Sequence, residues 1–246
     1  MQRRSISFLV SRRGLLALAG SAAAAVTALL LAPVAHAQEP LKIGIIGTGK
    51  IGGALAKHWV NAGHEVFMST RHPEELEALA KELGPRAHVG LPREAAAFGS
   101  VVLVSVPYGA MPQIGTDFAA ELAGKVIIDT SNPNAGRDGP QAPEWQRKGA
   151  GVSTAELLKN DRVVRAFNCI PAASLANQAN RQPARIAIPI GGDDAAAIAI
   201  AERLVRDAGF DPVMVGSLVK SREFDLGQPL AAGNLSAAEL RSRIGQ

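Results

Sequence analysis

The sequence predicts an α/β domain with a doubly wound, mostly parallel sheet that carries extra strands and helices at its C-terminal end. Apolar runs of strand length alternate with segments of helical period from Leu41 to Val215. A glycine-rich turn, Gly47–Gly52, directly follows the first of these runs. The composition, with 47% hydrophobic and 20% charged residues, is typical of a globular protein. Regular alternation of strands and helices implies parallel strands joined by right-handed crossovers.

The first half of the domain is predicted from short apolar runs that turn residues separate. The expected strands are Leu41–Ile46, Glu65–Ser69, His88–Val89, Val101–Val106 and Lys125–Asp129. The expected helices are Ile51–Ala62, Pro73–Leu83 and Ala110–Leu122. Because Val101–Val106 is apolar throughout, we expect this strand to be buried on both faces of the sheet.

The second half begins with a segment rich in glycine and proline, Asn132–Ala150, which predicts a long loop that acts as a lid. Ser153–Glu156 has capping-box spacing and predicts the start of a short helix. Further strands are expected at Arg162–Phe167, Arg185–Ile190 and Asp211–Val215, with a helix from a cap at Asp193 or Asp194 to Ala208.

Residues 1–37 have the pattern of an export signal. Arg12-Arg13 precede an apolar run, and Ala35-His36-Ala37 forms a small-x-small cleavage site. The arginine pair resembles a twin-arginine signal, which predicts an exported, periplasmic protein. The alternative is an uncleaved membrane anchor, because the run is nearly long enough to span a bilayer. After cleavage, no membrane association is expected.

The overall charge of +4 comes from the same segment. Residues 1–37 hold four of the 26 Lys and Arg residues and no acid, so 22 basic residues balance 22 acidic ones in the rest of the chain. No basic stripe with interleaved aromatic residues remains, and we therefore expect no nucleic-acid partner.

The turn between the first strand and the first helix has the sequence Gly47-Thr48-Gly49-Lys50-Ile51-Gly52, a G-x-G-x-x-G pattern. In this position the first glycine permits the turn, the second lets a pyrophosphate approach, and the third lets helix and strand pack closely. The helix N-terminus then faces the anion. The sequence therefore predicts a Rossmann-type dinucleotide site. The alternative is a structural turn without a ligand.

The end of the second strand indicates which dinucleotide is bound. An NAD site places Asp or Glu there, about 20 residues after the glycines, to bind the ribose hydroxyls. Residues 66–73 contain no acid, and Ser69, Thr70, Arg71 and His72 cluster where a 2′-phosphate would lie. Hydroxyl and guanidinium groups are good phosphate donors. NADP is therefore expected. For His72, the alternative is a surface residue that does not bind the phosphate.

The sequence as a whole resembles the coenzyme F420-dependent NADP oxidoreductases, whose Rossmann domain is shared with pyrroline-5-carboxylate reductases. The matching segments cover most of residues 41–220, and they are Ile43–Gly52, Ser69–Arg71, Val104–Tyr108, Ile128–Pro133, Val164–Ala172 and Pro189–Asp194. The tail from Phe224 to Gln246 is short and rich in turn residues, which departs from the family pattern at the end that forms dimers or binds deazaflavin.

The resemblance implies roles for particular residues. Thr48, Lys50 and Ile51 would line the pyrophosphate, and Thr70 and Arg71 the 2′-phosphate. Five further residues would border the nicotinamide: Val106, Pro107, Asn168, Ile170 and Ala172. The chain then divides into the signal at 1–37, an NADP-binding Rossmann core at 38–133, and a lid and C-terminal extension at 134–246 that complete the same domain.

Other chemistries are not predicted. The histidines lack metal-ligand spacing, and no Gly-x-Ser-x-Gly turn is present. Cys169, the single cysteine, excludes a disulfide within the chain and is expected to be structural, because no base accompanies it. Asp129, at the end of a predicted strand, either faces the crevice or caps the following turn.

The expected function is hydride transfer between NADP(H) and a flavin, a deazaflavin such as coenzyme F420, or another small acceptor. The partners expected are this small-molecule redox substrate and, by the resemblance, a second copy of the chain in a homodimer. Two alternatives are open: a non-catalytic NADP-binding or sensor protein, and an imine reductase similar to pyrroline-5-carboxylate reductase.

Overall fold

The structure is a computed structural model that describes residues 39–231 and 233–246. The predicted export signal at 1–37 lies outside the described residues. Within the described part of the chain, no helix is both long enough and apolar enough to cross a membrane.

Eight strands form one sheet. They are β1 (Lys42–Ile46), β2 (Glu65–Ser69), β3 (Ala87–Gly90), β4 (Val101–Val104), β5 (Val126–Asp129), β6 (Val163–Arg165), β7 (Ala187–Gly192) and β8 (Asp211–Gly216). Their order in the sheet is β3-β2-β1-β4-β5-β6-β7-β8. The chain therefore winds outward in both directions from β1 and β4, which confirms the predicted doubly wound Rossmann-type fold. A ligand crevice is expected at this switch point, beyond the carboxyl ends of β1 and β4.

Ten α-helices in the described residues connect or flank these strands. They are α1 (Lys50–Asn61), α2 (Glu77–Leu83), α3 (Pro92–Phe98), α4 (Met111–Asp117), α5 (Ala119–Leu122), α6 (Ala142–Lys148), α7 (Ala150–Leu158), α8 (Ala172–Asn177), α9 (Ala195–Asp207) and α10 (Ala237–Arg243). Short 3-10 turns occupy Pro73–Leu76, Tyr108–Ala110 and Lys220–Phe224.

The two faces of the sheet have separate apolar cores. On one face, α1 and α9 pack over Ile43 and Ile45 of β1, and Trp59 Nε1 donates a hydrogen bond to Leu204 O at 2.9 Å between these helices. On the other face, α3, α4 and α7 cover β4 and β5, with Tyr108 and Trp145 among the buried side chains. Burial of apolar surface on both sides accounts for the uninterrupted apolar sequence of β4.

The sheet is mostly parallel, as predicted, and one pair of strands departs from the parallel direction that the alternation of strands and helices implies. β6 and β7 are antiparallel, with Arg165 opposite Gly191, and β8 then runs parallel to β7. The connection between these strands, residues 166–186, contains the six-residue helix α8. After it, the chain re-enters the sheet at the same end at which it left.

The predicted lid, Asn132–Ala150, is not a continuous loop. Its second half is α6, in which Pro143 occupies the first turn and Ala142 and Trp145 are buried. Proline is favourable at this position of a helix, so the residue that suggested a loop begins a helix instead. Only the segment before α6 remains without a helix.

The capping box predicted at Ser153–Glu156 is also wrong. Ser153 and Thr154 lie buried inside α7, which begins at Ala150 after Gly149 with φ of +98°. The Ala150 N–H group instead donates to Asp225 Oδ2 at 3.0 Å. Because this capping residue lies 75 residues away in the sequence, no local pattern predicts the start of α7.

Several boundaries differ from the predicted ones. Helices α3, α8 and α10 were not predicted, and the predicted helix over 110–122 is divided into α4 and α5. Asp194, rather than Asp193, caps α9, because its carboxylate accepts a hydrogen bond from Ala197 N–H at 2.6 Å. β4 ends at Val104, so Ser105 and Val106 lie beyond the carboxyl end of the strand and not within it.

A fully buried ion pair joins β5 to β6. Arg165 and Asp129 each have 0% exposure, and Arg165 Nη1 donates to Asp129 Oδ2 at 2.9 Å. Asp129 also accepts hydrogen bonds from Ser131 N–H and from the Thr154 hydroxyl, both at 2.8 Å. It therefore caps the turn that follows β5, one of the two roles expected of it, and does not face the crevice.

The same guanidinium group holds two segments that follow the strands. Arg165 donates to Ser131 O at 2.5 Å, to Asn132 Oδ1 at 3.1 Å and to Asp225 Oδ1 at 2.7 Å. Burial alone would lower the pKa of Arg165, but the charges of Asp129 and Asp225 raise it above its ordinary value. Burial raises the pKa of Asp129, and the charge of Arg165 opposes this rise. The guanidinium therefore remains charged and connects β5, β6 and the C-terminal segment.

Replacing Arg165 by Met should lower the free energy of unfolding by about 3–5 kcal/mol, because Asp129 would remain buried without its counter-charge. The double variant Arg165→Met with Asp129→Asn should cost less than the sum of the single variants, since neither buried charge is then left alone. Urea denaturation followed by circular dichroism measures these values.

Arg86→Met, which changes an exposed arginine, is the control and should alter stability by less than about 0.5 kcal/mol. Additive effects in the Arg165 and Asp129 double variant would show that the two charges are not coupled.

Candidate functional site

The turn between β1 and α1 requires glycine at two positions. Gly47 has φ of +95°, and a Cβ atom there would lie 2.4 Å from Ser105 O, at the end of β4. A Cβ atom on Gly52 would lie 2.3 Å from Gly47 O. The first glycine thus permits the turn, and the last permits the close packing of helix on strand that the sequence predicts.

The N-terminus of α1 is open to the crevice. Its N-cap residue, Gly49, supplies no side-chain hydrogen bond, and no atom lies within 4 Å of the position of a Gly49 Cβ. The N–H groups of the first helical turn have no partner within the helix. Lys50 adds a positive charge there. These donors fit a pyrophosphate, which the helix dipole also favours.

Three adjoining cavities follow the crevice. We name them the Arg71 cavity, of about 770 Å³, the central cavity, of about 520 Å³, and the Arg222 cavity, of about 430 Å³. The Arg71 and central cavities share Gly49 and the segment 105–107. The central and Arg222 cavities share Asn132, Pro133, Gln146 and Leu226. The three cavities therefore form one continuous surface.

Most of the predicted cofactor residues lie on this surface. The Arg71 cavity is lined by Gly47, Thr48, Gly49, Thr70, Arg71, Val106 and Pro107. The central cavity is lined by Lys50 and Ile51, and again by Gly49, Val106 and Pro107. Gly52 packs behind the turn.

Ser69 does not lie on the cavity wall, although the sequence predicts it beside the 2′-phosphate. It is fully buried, and its hydroxyl donates to Ile45 O at 2.6 Å. Ser69 is the last residue of β2. Because side chains alternate between the two faces of a strand, its side chain lies on a buried face and not on the cavity wall. The Ser69 N–H group donates to Thr48 Oγ1 at 3.0 Å, so this residue fixes the glycine turn to β2.

Asn168, Ile170 and Ala172 also lie off the three cavity walls, contrary to the expectation that they border the nicotinamide. Phe167 has φ of +60° and turns the chain away after β6. Asn168 is buried, and its backbone oxygen accepts a hydrogen bond from Asn132 Nδ2 at 2.8 Å. Asn168 therefore supports a cavity residue rather than lining the cavity itself.

The Arg71 cavity contains two acids that the sequence analysis did not identify. Glu75 and Asp117 line it together with Arg71. Arg71 makes no ion pair with any described residue, which leaves its guanidinium available for a phosphate. Glu75 follows β2 by more residues than the motif allows, and Asp117 comes from α4, so neither matches the usual spacing of a ribose-binding acid.

The central cavity has few ionisable groups. Among the described residues, Lys50 and Arg137 are the only ionisable side chains on its wall. Arg137 donates two hydrogen bonds to the Asp138 carboxylate, both at 2.8 Å, and these bonds hold the pKa of Asp138 below its usual value. Among the described residues, no carboxylate, imidazole or thiol lines this cavity, so Lys50 is the one side chain there that could donate a proton near neutral pH.

Cys169 has the structural character expected of it. The residue is buried, and this burial raises the pKa of its thiol to about 12. A thiol in this state is a poor nucleophile at neutral pH. No group of three or more His, Cys, Asp or Glu residues in the described chain is arranged to hold a metal ion.

The sequence analysis missed the far wall of the site. Asn132, Gln146 and Leu226 line two cavities each, and they come from the end of β5, from α6 and from the C-terminal segment. The position of Asn132, three residues beyond a strand end, was an available signal because crevice residues follow parallel strands. Gln146 lies within the predicted lid Asn132–Ala150 but was not identified individually, and Leu226 carried no signal.

Comparison with known proteins supports the fold and the class of cofactor. Residues 42–133 match the family described as "NADP oxidoreductase coenzyme F420-dependent". This range contains β1 to β5, the glycine turn and Arg71.

Two curated relatives extend the similarity. The F420-dependent NADP reductase of Methanocaldococcus jannaschii is 28% identical over 207 residues, which cover 78% of this chain and 92% of the relative. Rat metalloreductase STEAP3 is 31% identical over 195 residues, which cover 76% of this chain. The chain spans only 36% of the length of that metalloreductase.

A solved structure of a hypothetical protein from Sinorhizobium meliloti has the same fold, with a TM-score of 0.68 and 26% sequence identity. The superposition covers 82% of this chain and 97% of the other. The sheet, the glycine turn, and the matched family and relatives agree on an NADP-binding oxidoreductase. Through residues 42–133, the chain is similar to the family of coenzyme F420-dependent NADP oxidoreductases.

Proposed function

We propose that the protein transfers a hydride from NADPH to a flavin or deazaflavin acceptor. The observation that carries this proposal is the central cavity, which has an open approach and whose described lining includes no carboxylate, imidazole, thiol or phenol; its one lysine, Lys50, lies at the turn that would hold the pyrophosphate. Reduction of a carbonyl or imine is usually assisted by a proton donor near the reacting atom. Reduction of a flavin ring needs no such protein group, since its nitrogen atoms exchange protons with water.

The three cavities suggest how the dinucleotide would be held. Arg71 and Thr70 would bind the 2′-phosphate in the Arg71 cavity. The first turn of α1 and Lys50 would bind the pyrophosphate. Val106 and Pro107 line both the Arg71 and the central cavity, and would direct the nicotinamide into the central one.

When bound, NADPH supplies a hydride, and the oxidised flavin takes this hydride and one proton from water. The chain's own contribution is to bind and orient the two molecules and to exclude water between them. The Val106 and Pro107 side chains supply an apolar wall for this purpose. The adjoining Arg222 cavity leaves room for the acceptor beside the nicotinamide position.

The names of the two curated relatives support reduction but not one acceptor. One is named an F420-dependent NADP reductase and the other a metalloreductase. A non-catalytic NADP-binding protein and an imine reductase are the alternatives. The first would bind NADPH without turnover, and the second would oxidise NADPH with cyclic imines but not with flavins.

Steady-state assays that follow NADPH absorbance with FMN, riboflavin, coenzyme F420 and a cyclic imine test this function. NADPH should be preferred over NADH. Arg71→Ala should lower kcat/KM for NADPH by about 10- to 150-fold, since a charged hydrogen bond contributes about 1.5–3 kcal/mol. The value for NADH should stay nearly unchanged.

His72→Ala is the matched control, because His72 is the exposed neighbour of Arg71 and does not line the cavity. Equal use of NADPH and NADH by the parent protein would contradict the cofactor assignment. Turnover with the imine alone would contradict the flavin proposal.

We also propose that the protein is exported by the twin-arginine route and begins at Gln38 after cleavage, from the pattern of Arg12-Arg13 and Ala35-His36-Ala37. Replacing Arg12 and Arg13 by Lys should leave the precursor in the cytoplasm. The matched control replaces Arg3 and Arg4, which lie outside the pair, by Lys and should be exported normally. Mass spectrometry of the exported chain measures its first residue, and an intact Met1 would refute cleavage.

A further inference from the structure

The part of the predicted lid that precedes α6 lies at the central cavity. Residues 134–137 line this cavity, and so do residues 49–51 of the glycine turn and α1. Two stretches that are far apart in the sequence thus face the same space. The first turn of α1 has a task in the proposed function, as the place where the pyrophosphate would bind. The segment 134–138 has none there, although it brings a charged side chain to the cavity.

That side chain is Arg137, and its guanidinium is held in one orientation. Its Nε donates to Asp138 Oδ1 and its Nη2 to Asp138 Oδ2, both at 2.8 Å. Nη2 also donates to Asn132 O at 3.0 Å. The third nitrogen, Nη1, makes no hydrogen bond to any residue that the structure describes. The N–H donors of Nη1 are therefore available to a ligand.

The carboxylate that orients Arg137 is itself anchored. The Asp138 side chain is 1% exposed, its Oδ2 accepts from Asn134 N–H at 2.8 Å, and Gly109 N–H donates to the same carboxylate. The backbones are close here, since a Cβ atom on Gly109 would lie 3.2 Å from Asp138 Cα. Asp138 therefore ties the segment 134–138 to the turn after β4 that carries Pro107, a residue of the cofactor wall.

The cavity that Arg137 lines indicates which anion it meets. Arg137 lines the central cavity and neither of the other two. It is therefore not placed to bind a 2′-phosphate beside Arg71, nor a group in the Arg222 cavity. Among the described residues on the central wall, the other cation is Lys50, at the N-terminus of α1, and no carboxylate lines this wall. Both charges face the space in which the pyrophosphate would lie.

We propose that Arg137 binds the pyrophosphate of the dinucleotide from the segment 134–138, while the first turn of α1 and Lys50 bind it from the glycine turn. This assignment rests on the proposed function, which puts the dinucleotide in the Arg71 and central cavities. Guanidinium N–H groups form charge-assisted hydrogen bonds to phosphate oxygens. Because Asp138 already orders the guanidinium, little conformational entropy is lost on binding. Arg137 then binds the part that NADP and NAD share, whereas Arg71 discriminates between them.

NADP⁺, NAD⁺ and adenosine 2′-monophosphate separate the two arginines. The two dinucleotides share a pyrophosphate, whereas NADP⁺ and adenosine 2′-monophosphate share a 2′-phosphate. Arg137→Gln should weaken the binding of NADP⁺ and NAD⁺ by the same factor, about 10-fold for a charge-assisted hydrogen bond. It should leave the binding of adenosine 2′-monophosphate unchanged. Arg71→Ala should weaken the binding of NADP⁺ and adenosine 2′-monophosphate and spare NAD⁺. Isothermal titration calorimetry measures the dissociation constants.

A second variant separates the proposed hydrogen bond from charge alone. Arg137→Lys keeps the positive charge, but its single nitrogen cannot pair with Asp138 and also reach a phosphate as two guanidinium nitrogens do. It should lose nearly as much affinity for NAD⁺ as Arg137→Gln. Arg241→Gln, an exposed arginine on α10 outside the three cavities, is the matched control and should change no dissociation constant. Arg137 is half-exposed, and circular dichroism checks the fold of each variant.

Equal affinity of the parent and Arg137→Gln for NAD⁺ overturns the proposal, and so does a loss that extends to adenosine 2′-monophosphate. Full affinity in Arg137→Lys contradicts the held guanidinium. These outcomes are separate from turnover. Selective loss of dinucleotide affinity in a protein that oxidises no NADPH would support the role of Arg137 and contradict hydride transfer. Oxidation of NADPH with unchanged NADP⁺ affinity in Arg137→Gln would support hydride transfer and contradict the role of Arg137.

Discussion

The buried pair of Arg165 and Asp129 is the constraint on which the site depends. Two charges without exposure are costly unless every partner is in place, and here the partners come from β5, β6, α7 and the C-terminal segment. The hydrogen bonds of Arg165 to Ser131 and Asn132 set the position of the chain as it leaves β5. Asn132 in turn lines both the central and the Arg222 cavity. The shape of these two cavities thus follows from a charge cluster beneath them.

The parts of the fold that could be predicted are those with local causes. β1 to β5, α1 and the glycine turn follow from apolar periodicity and from steric needs at Gly47 and Gly52. For the same reason the distance of Thr70 and Arg71 from the glycines was enough to place them beside the glycine turn, where both line the Arg71 cavity. These features need only a short stretch of sequence and one neighbouring strand.

The parts that could not be predicted depend on contacts between distant residues. The start of α7 is set by Asp225, and β7 runs antiparallel to β6, a direction that the alternation of strands and helices did not indicate. Ser69 was placed at the cofactor by its spacing, but the pleat of β2 turns its hydroxyl into the sheet. Single-sequence patterns contain no information on such pairings.

Asp225 connects two features that were described separately. Its carboxylate caps α7 and also accepts a hydrogen bond from Arg165. Its neighbours Arg222 and Leu226 line the Arg222 cavity. The glycine turn and Arg71, in contrast, belong to β1, α1 and the end of β2. The wall that would meet the acceptor and the wall that would meet the dinucleotide are therefore largely encoded in different stretches of the chain. Substitutions around an unchanged Asp225 would therefore allow related proteins to reduce different molecules while they use the same reductant.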